Sequence, residues 1–129
     1  MIGVEASNVL AIECDWRLRK LIRANLEASG LKVREAVSVQ HGLQLIREQR
    51  PNLILLDIDR LDVDLQQLFD TLCNHLEEEP VSIILLATEP PSRTLIEREC
   101  IGGFVRKPFA IPTLLQQIQQ ALTAPLANQ

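Results

Sequence analysis

The chain of 129 residues lacks the features that mark membrane, fibrous and nucleic-acid-binding proteins. It has no tyrosine, one tryptophan and three phenylalanines, and its formal net charge is −4, with no basic excess to bind nucleic acid directly. No apolar run approaches the roughly 20 residues of a membrane-spanning helix. The first residues lack the basic-then-apolar pattern of a signal peptide. We therefore expect a globular cytoplasmic protein that contacts neither membrane nor nucleic acid directly.

Cysteine is scarce, and its spacing does not indicate a disulfide scaffold. The three cysteines are Cys14, Cys73 and Cys100, an odd number spread widely along the chain. Such usage is typical of a reducing compartment, in which thiols stay free. The sequence therefore predicts no disulfide, and it favours the interpretation of Cys14 as a small buried residue.

What the chain does contain is a regular alternation of short apolar runs and amphipathic stretches. The runs "NVLAI", "NLILLDID" and "VSIILLAT" are typical of strands buried on both faces, whereas "LKVREA" carries charge and fits a sheet edge. Asp15 and Ser38 are placed as helix N-caps, and Gly30 as a helix stop.

The order of these elements is strand then helix, five times over. Such alternation predicts an α/β fold, with a doubly wound five-stranded parallel sheet and five helices covering both of its faces. We place a single domain over residues 1–123. The remaining residues, 124–129, have no pattern and are interpreted as a tail or the start of a linker.

In doubly wound sheets the functional groups collect at the carboxyl ends of the strands. In this sequence, acidic, thiol, hydroxyl and lysine side chains lie at those ends. The residues at or just after the strand ends are Glu13, Cys14, Asp57, Asp59, Ala87, Thr88 and Lys107. We therefore expect an acidic pocket with one lysine facing it across the sheet.

These residues carry a resemblance to a known family. The chain resembles the receiver domain of bacterial two-component response regulators over roughly residues 7 to 123. The matching features are the acid at Glu13, the "LLD" that ends at Asp57, and the small residues of the fourth strand end. A further matching feature is "FVRKPF" at 104–109. Its Lys-Pro-Phe is the most specific of the features that match the family.

The resemblance implies a flavodoxin-like sheet in the order 2-1-3-4-5 and a set of roles for the pocket. Asp57 would accept a phosphoryl group from a histidine kinase. The protein would then be a signalling module and not an enzyme. Glu13, Asp57 and Asp59 would hold Mg²⁺, a hard cation that prefers oxygen ligands. Lys107 would pair with the phosphoryl oxygens, and its peptide bond to Pro108 would be cis.

The family's switching residues are matched less well. A hydroxyl residue that binds the phosphoryl group aligns best with Ala87, which leaves Thr88 one residue late and, by strand alternation, pointing away from the pocket. Phe104 matches the family's switch aromatic. The stretch between these residues is shorter than in the family.

The metal site also departs from the family pattern. Cys14 stands where the family has a second metal-binding acid, and a thiol is a soft ligand that suits Mg²⁺ badly. We therefore expect Mg²⁺ binding to be weak or absent.

Two other functions stay open at this point. One is a phosphorylation-independent pseudo-receiver that acts as a protein–protein interaction module. The other is suggested by "LLDIDRL", which loosely resembles the DxD motif of haloacid-dehalogenase-type phosphatases. In that family the motif ends the first strand, whereas here it ends the third, and phosphate release from an aryl phosphate would be needed to revive the idea.

The resemblance to receivers further implies a histidine kinase or other signalling protein as partner, and it allows a C-terminal effector domain.

Overall fold

The computed structural model describes residues 7–61, 63–75 and 81–123, and it contains the five predicted strand–helix units. In chain order the elements are β1 (Asn8–Ile12), α1 (Trp16–Ala28), β2 (Lys32–Ala36), α2 (Val39–Glu48), β3 (Leu53–Asp57), α3 (Leu65–His75), β4 (Ser82–Ala87), α4 (Arg93–Ile96), β5 (Ile101–Arg106) and α5 (Ile111–Thr123). The predicted tail, 124–129, lies outside the described residues.

The strands form one parallel sheet in the order β2-β1-β3-β4-β5, which confirms the predicted fold class and strand order. The charged strand β2 lies at the edge, where a single neighbour leaves its polar side chains access to water. The apolar strand β3 lies at the centre, and all five of its residues are buried. The ends of β1 and β3 are therefore neighbours, and their acids share one edge of the sheet.

Side chains along the central strands alternate between two apolar clusters, one on each face of the sheet. On one face the sheet packs against α2, α3 and α4, and the fully buried ring of Phe69 lies there. On the other face Ile22 of α1 and Ile118 of α5 are fully buried against the sheet. Burial on both faces explains why the strand sequences are continuous apolar runs.

The helix boundaries follow the predicted capping residues. The Asp15 carboxylate accepts a hydrogen bond from the Arg17 N–H at 3.0 Å, and the Ser38 hydroxyl accepts one from the His41 N–H at 3.1 Å. Gly30 follows α1 with a φ of 91°, a left-handed conformation that costs glycine little. Within the described part of the chain, no helix has the length and hydropathy needed to cross a membrane.

The structure corrects the prediction about cysteine pairing. Cys73 of α3 and Cys100, which directly precedes β5, form a disulfide with their Cα atoms 6.3 Å apart. Helices of this fold run antiparallel to the strands, so the end of α3 comes to the edge at which β5 begins. Sequence spacing could not reveal this approach because the two residues are separated by 27 positions.

Candidate functional site

A pocket of about 410 Å³ opens at the carboxyl edge of the sheet. It is lined by Glu13, Cys14, Asp15, Leu18, Asp57, Asp59, Arg60, Thr88 and Lys107. The fold therefore brings together the predicted acids of β1 and β3 and the predicted lysine after β5. Ala87 and Phe104, which were also predicted for the site, are not in its lining.

Asp57 ends the central strand and forms the floor of the pocket. Its residue surface is only 4% exposed, and its carboxylate contacts the Lys107 ammonium. A second hydrogen bond comes from the Asp59 N–H to Asp57 Oδ1 at 2.9 Å. The result is a buried carboxylate whose charge is offset by one lysine and one backbone dipole.

Lys107 reaches this position because the chain turns inward directly after β5. Its backbone N–H donates to the Ala87 carbonyl at 2.9 Å, and the Lys107–Pro108 peptide bond is cis. Burial acts to lower the pKa of Lys107, but its hydrogen bond to Asp57 and the nearby carboxylates outweigh burial and raise that pKa above its ordinary value. Lys107 is therefore held firmly as a cation.

Glu13 lies beside Asp57 and is nearly enclosed, with 2% of its surface exposed. Its Oε2 accepts from the Asp15 N–H at 3.0 Å, while its buried Oε1 accepts no hydrogen bond from the described residues. Burial first, and then the adjoining Asp57 carboxyl, raise the pKa of Glu13 from 4.5 to about 7. Near neutral pH a large fraction of Glu13 is therefore protonated, which lowers the negative charge of the pocket.

A half-buried arginine fixes the backbone at Glu13. Arg19 of α1 donates from Nη1 to the Glu13 carbonyl at 2.8 Å, and its Nε lies 3.2 Å from Glu35 Oε1 on β2. This role could not be predicted from the sequence, because Arg19 is one of several basic residues on the same helix. The contact ties the acid-bearing turn after β1 to the edge strand.

Thr88 faces the pocket, and the prediction that it points away is wrong. Its hydroxyl donates to Asp59 Oδ2 at 2.7 Å, and its N–H lies 3.0 and 3.1 Å from the two Asp59 oxygens. Strand alternation fails here because β4 ends at Ala87, so Thr88 already belongs to the following turn.

Asp59 is consequently a strongly held anion on the pocket wall. Burial acts to raise its pKa, but the Thr88 hydrogen bonds and the Lys107 charge, 3.4 Å away, hold that pKa below its ordinary value. The loop bends directly after it, at Arg60, whose φ of 63° is left-handed without a glycine. Such a bend, close to the pocket, aims the Asp59 carboxylate across to Thr88.

Cys14 is exposed and lines the mouth of the pocket, so its interpretation as a buried residue is wrong. The strand ends at Ile12, and Cys14 sits in the bend that leads into α1 rather than in the sheet. A residue in this bend is turned toward solvent, whereas the preceding Glu13 is turned inward.

The two remaining predicted switch residues lie beside the pocket rather than in it. Ala87 is the buried last residue of β4, and it contributes its backbone carbonyl to the Lys107 N–H. Phe104 is a half-buried residue of β5 that packs against the cluster containing α4.

The implied Mg²⁺ ion can be tested against this arrangement. Glu13, Asp57 and Asp59 carry the carboxylate oxygens that Mg²⁺ prefers as ligands. Among residues 7–61, 63–75 and 81–123, however, no three His, Cys, Asp or Glu side chains converge as a metal-holding group. Asp57 is engaged by Lys107, Asp59 by Thr88, and Cys14 offers a thiol. In this arrangement the side chains do not fit the ion.

Comparison with known proteins places the chain in a family. A family profile described as "Response regulator receiver domain" matches residues 9–119. The KDP operon transcriptional regulatory protein KdpE of Escherichia coli is 28% identical over 116 residues, which cover 90% of this chain and 51% of KdpE. The polar-differentiation response regulator DivK of Brucella anthropi is 26% identical over 117 residues, covering 89% of this chain and 95% of DivK. The chain thus spans about half the length of KdpE.

Solved structures share the fold. The chemotaxis protein CheY4 of Vibrio cholerae superposes with a TM-score of 0.77 at 23% identity, covering 90% of this chain and 98% of CheY4. A CheY-like receiver domain protein of Methanospirillum hungatei gives 0.78 at 21% identity, covering 95% and 98% of the two chains. The predicted resemblance and the flavodoxin-like architecture are both confirmed.

Proposed function

This chain belongs to the receiver-domain family of response regulators, and we propose that it receives a phosphoryl group from a histidine kinase on Asp57. The observation that carries the proposal is the contact between the buried Asp57 carboxylate and the Lys107 ammonium, at the floor of an open pocket. A carboxylate placed in this way can approach a phosphorus atom from the pocket, while the lysine offsets the charge of the incoming group.

Phosphoryl transfer requires little covalent assistance and much charge neutralisation. One Asp57 oxygen would attack the phosphorus of a phosphohistidine. A new O–P bond would form, and the N–P bond to the histidine would break. Lys107 would pair with the phosphoryl oxygens, and the Thr88 hydroxyl and N–H are further donors within the pocket. A protonated Glu13 would add no negative charge against the incoming anion.

We further propose that any Mg²⁺ requirement is weak. Cys14 offers a soft thiol in the place of a hard carboxylate ligand. The carboxylates of Asp57 and Asp59 are already bound by donors of the protein. Binding of the ion would require these contacts to open. We therefore assign phosphoryl transfer to Asp57, Lys107 and Thr88 without the ion.

A second candidate function is a phosphorylation-independent interaction module, and one contact favours it. Asp59 already occupies the hydroxyl and N–H of Thr88 and lies 3.4 Å from Lys107. An incoming phosphoryl group would have to compete with this carboxylate for the same donors. If Asp59 wins that competition, the pocket and the faces around it change little, and a partner would recognise them constitutively.

Phosphorylation by a small-molecule donor separates the two functions. The protein is incubated with phosphoramidate or acetyl phosphate, with and without Mg²⁺, and its intact mass is measured. We expect one phosphoryl group on the wild type and on Asp64→Asn, a matched change at an exposed aspartate, but none on Asp57→Asn. An unmodified wild type under every condition would contradict the phosphoacceptor role and leave the interaction module.

The wider setting is also a proposal. Response regulators interact with histidine kinases and often carry effector domains. Because the chain matches half of KdpE, we propose that a histidine kinase is its partner and that an effector domain is its route to an output. We place the protein in the cytoplasm, where such phosphoryl transfer occurs.

A further inference from the structure

Two of the three cysteines meet at the edge of the sheet opposite the pocket. Cys73 lies near the end of α3, Cys100 directly precedes β5, and their Cα separation of 6.3 Å is within the usual range for a disulfide. Cys14 lies at the carboxyl edge and cannot reach either of them. Intramolecular thiol chemistry is therefore confined to this couple.

Both sulfur-bearing residues are reachable by small reagents. Cys73 and Cys100 are half-buried, and Cys100 packs against the margin of the apolar cluster rather than inside it. A cysteine sealed in the core is inert, whereas a partly exposed one exchanges with thiols and disulfides in solution. The site thus combines a partner at bonding distance with access from outside.

The bond joins α3 to the end of the chain between β4 and β5, residues 88–100, which we call the α4 segment. Helix α4 comprises only Arg93–Ile96, a single turn, so the chain between β4 and β5 has little structure of its own. Arg98 reaches Asp70 of α3 at 2.8 Å, but the Asp70 side chain is 60% exposed, and exposed ion pairs contribute little to stability. In the described part of the chain, α3 and this segment are linked by apolar packing around Leu95, by this ion pair and by the disulfide, and the disulfide is the covalent link among them.

An apolar cleft of about 200 Å³ lies between the same two elements. Leu65 of α3 forms one wall, and Pro91 and Leu95 of the α4 segment form part of the other. Arg98, which carries the ion pair to α3, also lines the cleft. Any change that frees the α4 segment from α3 therefore also changes the width of this cleft.

We propose that Cys73 and Cys100 are a redox-modification site, a reversible thiol–disulfide couple that exchanges with low-molecular-weight disulfides such as oxidised glutathione. One cysteine thiolate attacks a sulfur of the reagent, which forms a mixed disulfide and releases one thiolate. The second cysteine then attacks the mixed disulfide and releases the other. Two electrons pass from the couple to the reagent, and the two cysteine protons end on the two released thiolates. Oxidation holds the α4 segment against α3, and reduction releases it, independently of the phosphoryl chemistry at the opposite edge.

The test equilibrates the native chain in glutathione buffers of graded reduced-to-oxidised ratio, quenches it with acid, and alkylates the remaining thiols for intact mass measurement. We expect three alkylated thiols in the most reducing buffers. In the most oxidising buffers we expect an intramolecular disulfide between Cys73 and Cys100, with the exposed Cys14 as the single residue that carries glutathione or the alkyl group, and with the change reversible. Cys73→Ser and Cys100→Ser should each abolish the intramolecular bond, whereas the matched control Cys14→Ser should retain it. Hydrogen exchange on the wild type in its two redox states should be slower at residues 92–99 in the oxidised form and unchanged in β1.

Three results would overturn the proposal. The couple could stay reduced in every buffer, or it could stay bonded even in the most reducing one, which would make it a permanent staple. Equal exchange of residues 92–99 in the two states would show that the bond controls nothing at α4. The exchange comparison uses one sequence throughout, so it does not depend on whether the serine variants fold.

Discussion

Replacing Lys107 by alanine removes the cation that offsets the buried Asp57 carboxylate. Breaking a fully buried ion pair by deleting one partner costs about 3–5 kcal/mol. Here the Lys107 side chain is 21% exposed and the pocket is open to water, so screening reduces the loss, and we expect about 1–3 kcal/mol. With an unfolding entropy of about 2.1 cal/mol/K per residue over the chain's 129 residues, a loss of about 2 kcal/mol lowers Tm by about 7 °C.

The assay is urea unfolding followed by far-ultraviolet circular dichroism, with Lys32→Ala as the matched control. Lys32 is an exposed lysine on the edge strand β2, so its removal should change the unfolding free energy by less than about 0.5 kcal/mol. In the double variant Lys107→Ala/Asp57→Asn, part of the lost stability should return because the uncompensated carboxylate is gone. Equal stability of Lys107→Ala and Lys32→Ala would refute the reasoning, since it would show that water alone supports the Asp57 charge.

The remaining predictions concern the other pocket residues. Because the pKa of Glu13 is raised from 4.5 to about 7, the folded state binds more protons than the unfolded state between those values, and the free energy of unfolding should fall as pH rises through this window, by up to about 3 kcal/mol. Glu13→Gln should flatten that part of the stability profile, and an unchanged slope would contradict the assignment. Cys14→Asp should tighten Mg²⁺ binding by supplying a hard ligand, as measured by titration calorimetry, and wild-type saturation below the millimolar range would show that no ligand is missing. Asp59→Ala should free the Thr88 hydroxyl and N–H and so speed phosphorylation by phosphoramidate. The control Glu89→Gln, which removes a neighbouring exposed charge, should leave the rate unchanged. Equal phosphorylation rates in the two variants would show that Asp59 does not compete with the phosphoryl group for the Thr88 donors.

The sequence predicted those parts of the structure that rest on local pattern. Apolar runs gave the strands, since burial on both faces requires them, and the capping residues Asp15 and Ser38 mark helix starts because their side chains satisfy free N–H groups. The meeting of Asp57 and Lys107 followed from topology, because parallel strands bring their carboxyl ends to one edge.

The errors concern residues placed by loops and by long-range packing. Thr88 was misplaced because strand alternation was carried one residue past the end of β4. Cys14 lies in a bend after β1, where exposure depends on how the chain turns and not on residue type. The Cys73–Cys100 contact joins a helix end to a strand start, and no local pattern encodes such a distance.

The most direct test of the account is the amide NMR spectrum of the domain before and after phosphorylation by phosphoramidate. We expect a phosphoryl group on Asp57 and chemical-shift changes confined to the pocket, at residues 13–15, 57–61, 88 and 107. The changes should stay local because Asp59 already holds Thr88 inward, so phosphorylation has little left to move. Failure to modify Asp57 would contradict the phosphoacceptor role. Shifts that spread to Phe104 and α4 would contradict the claim that Asp59 holds the pocket in its resting arrangement.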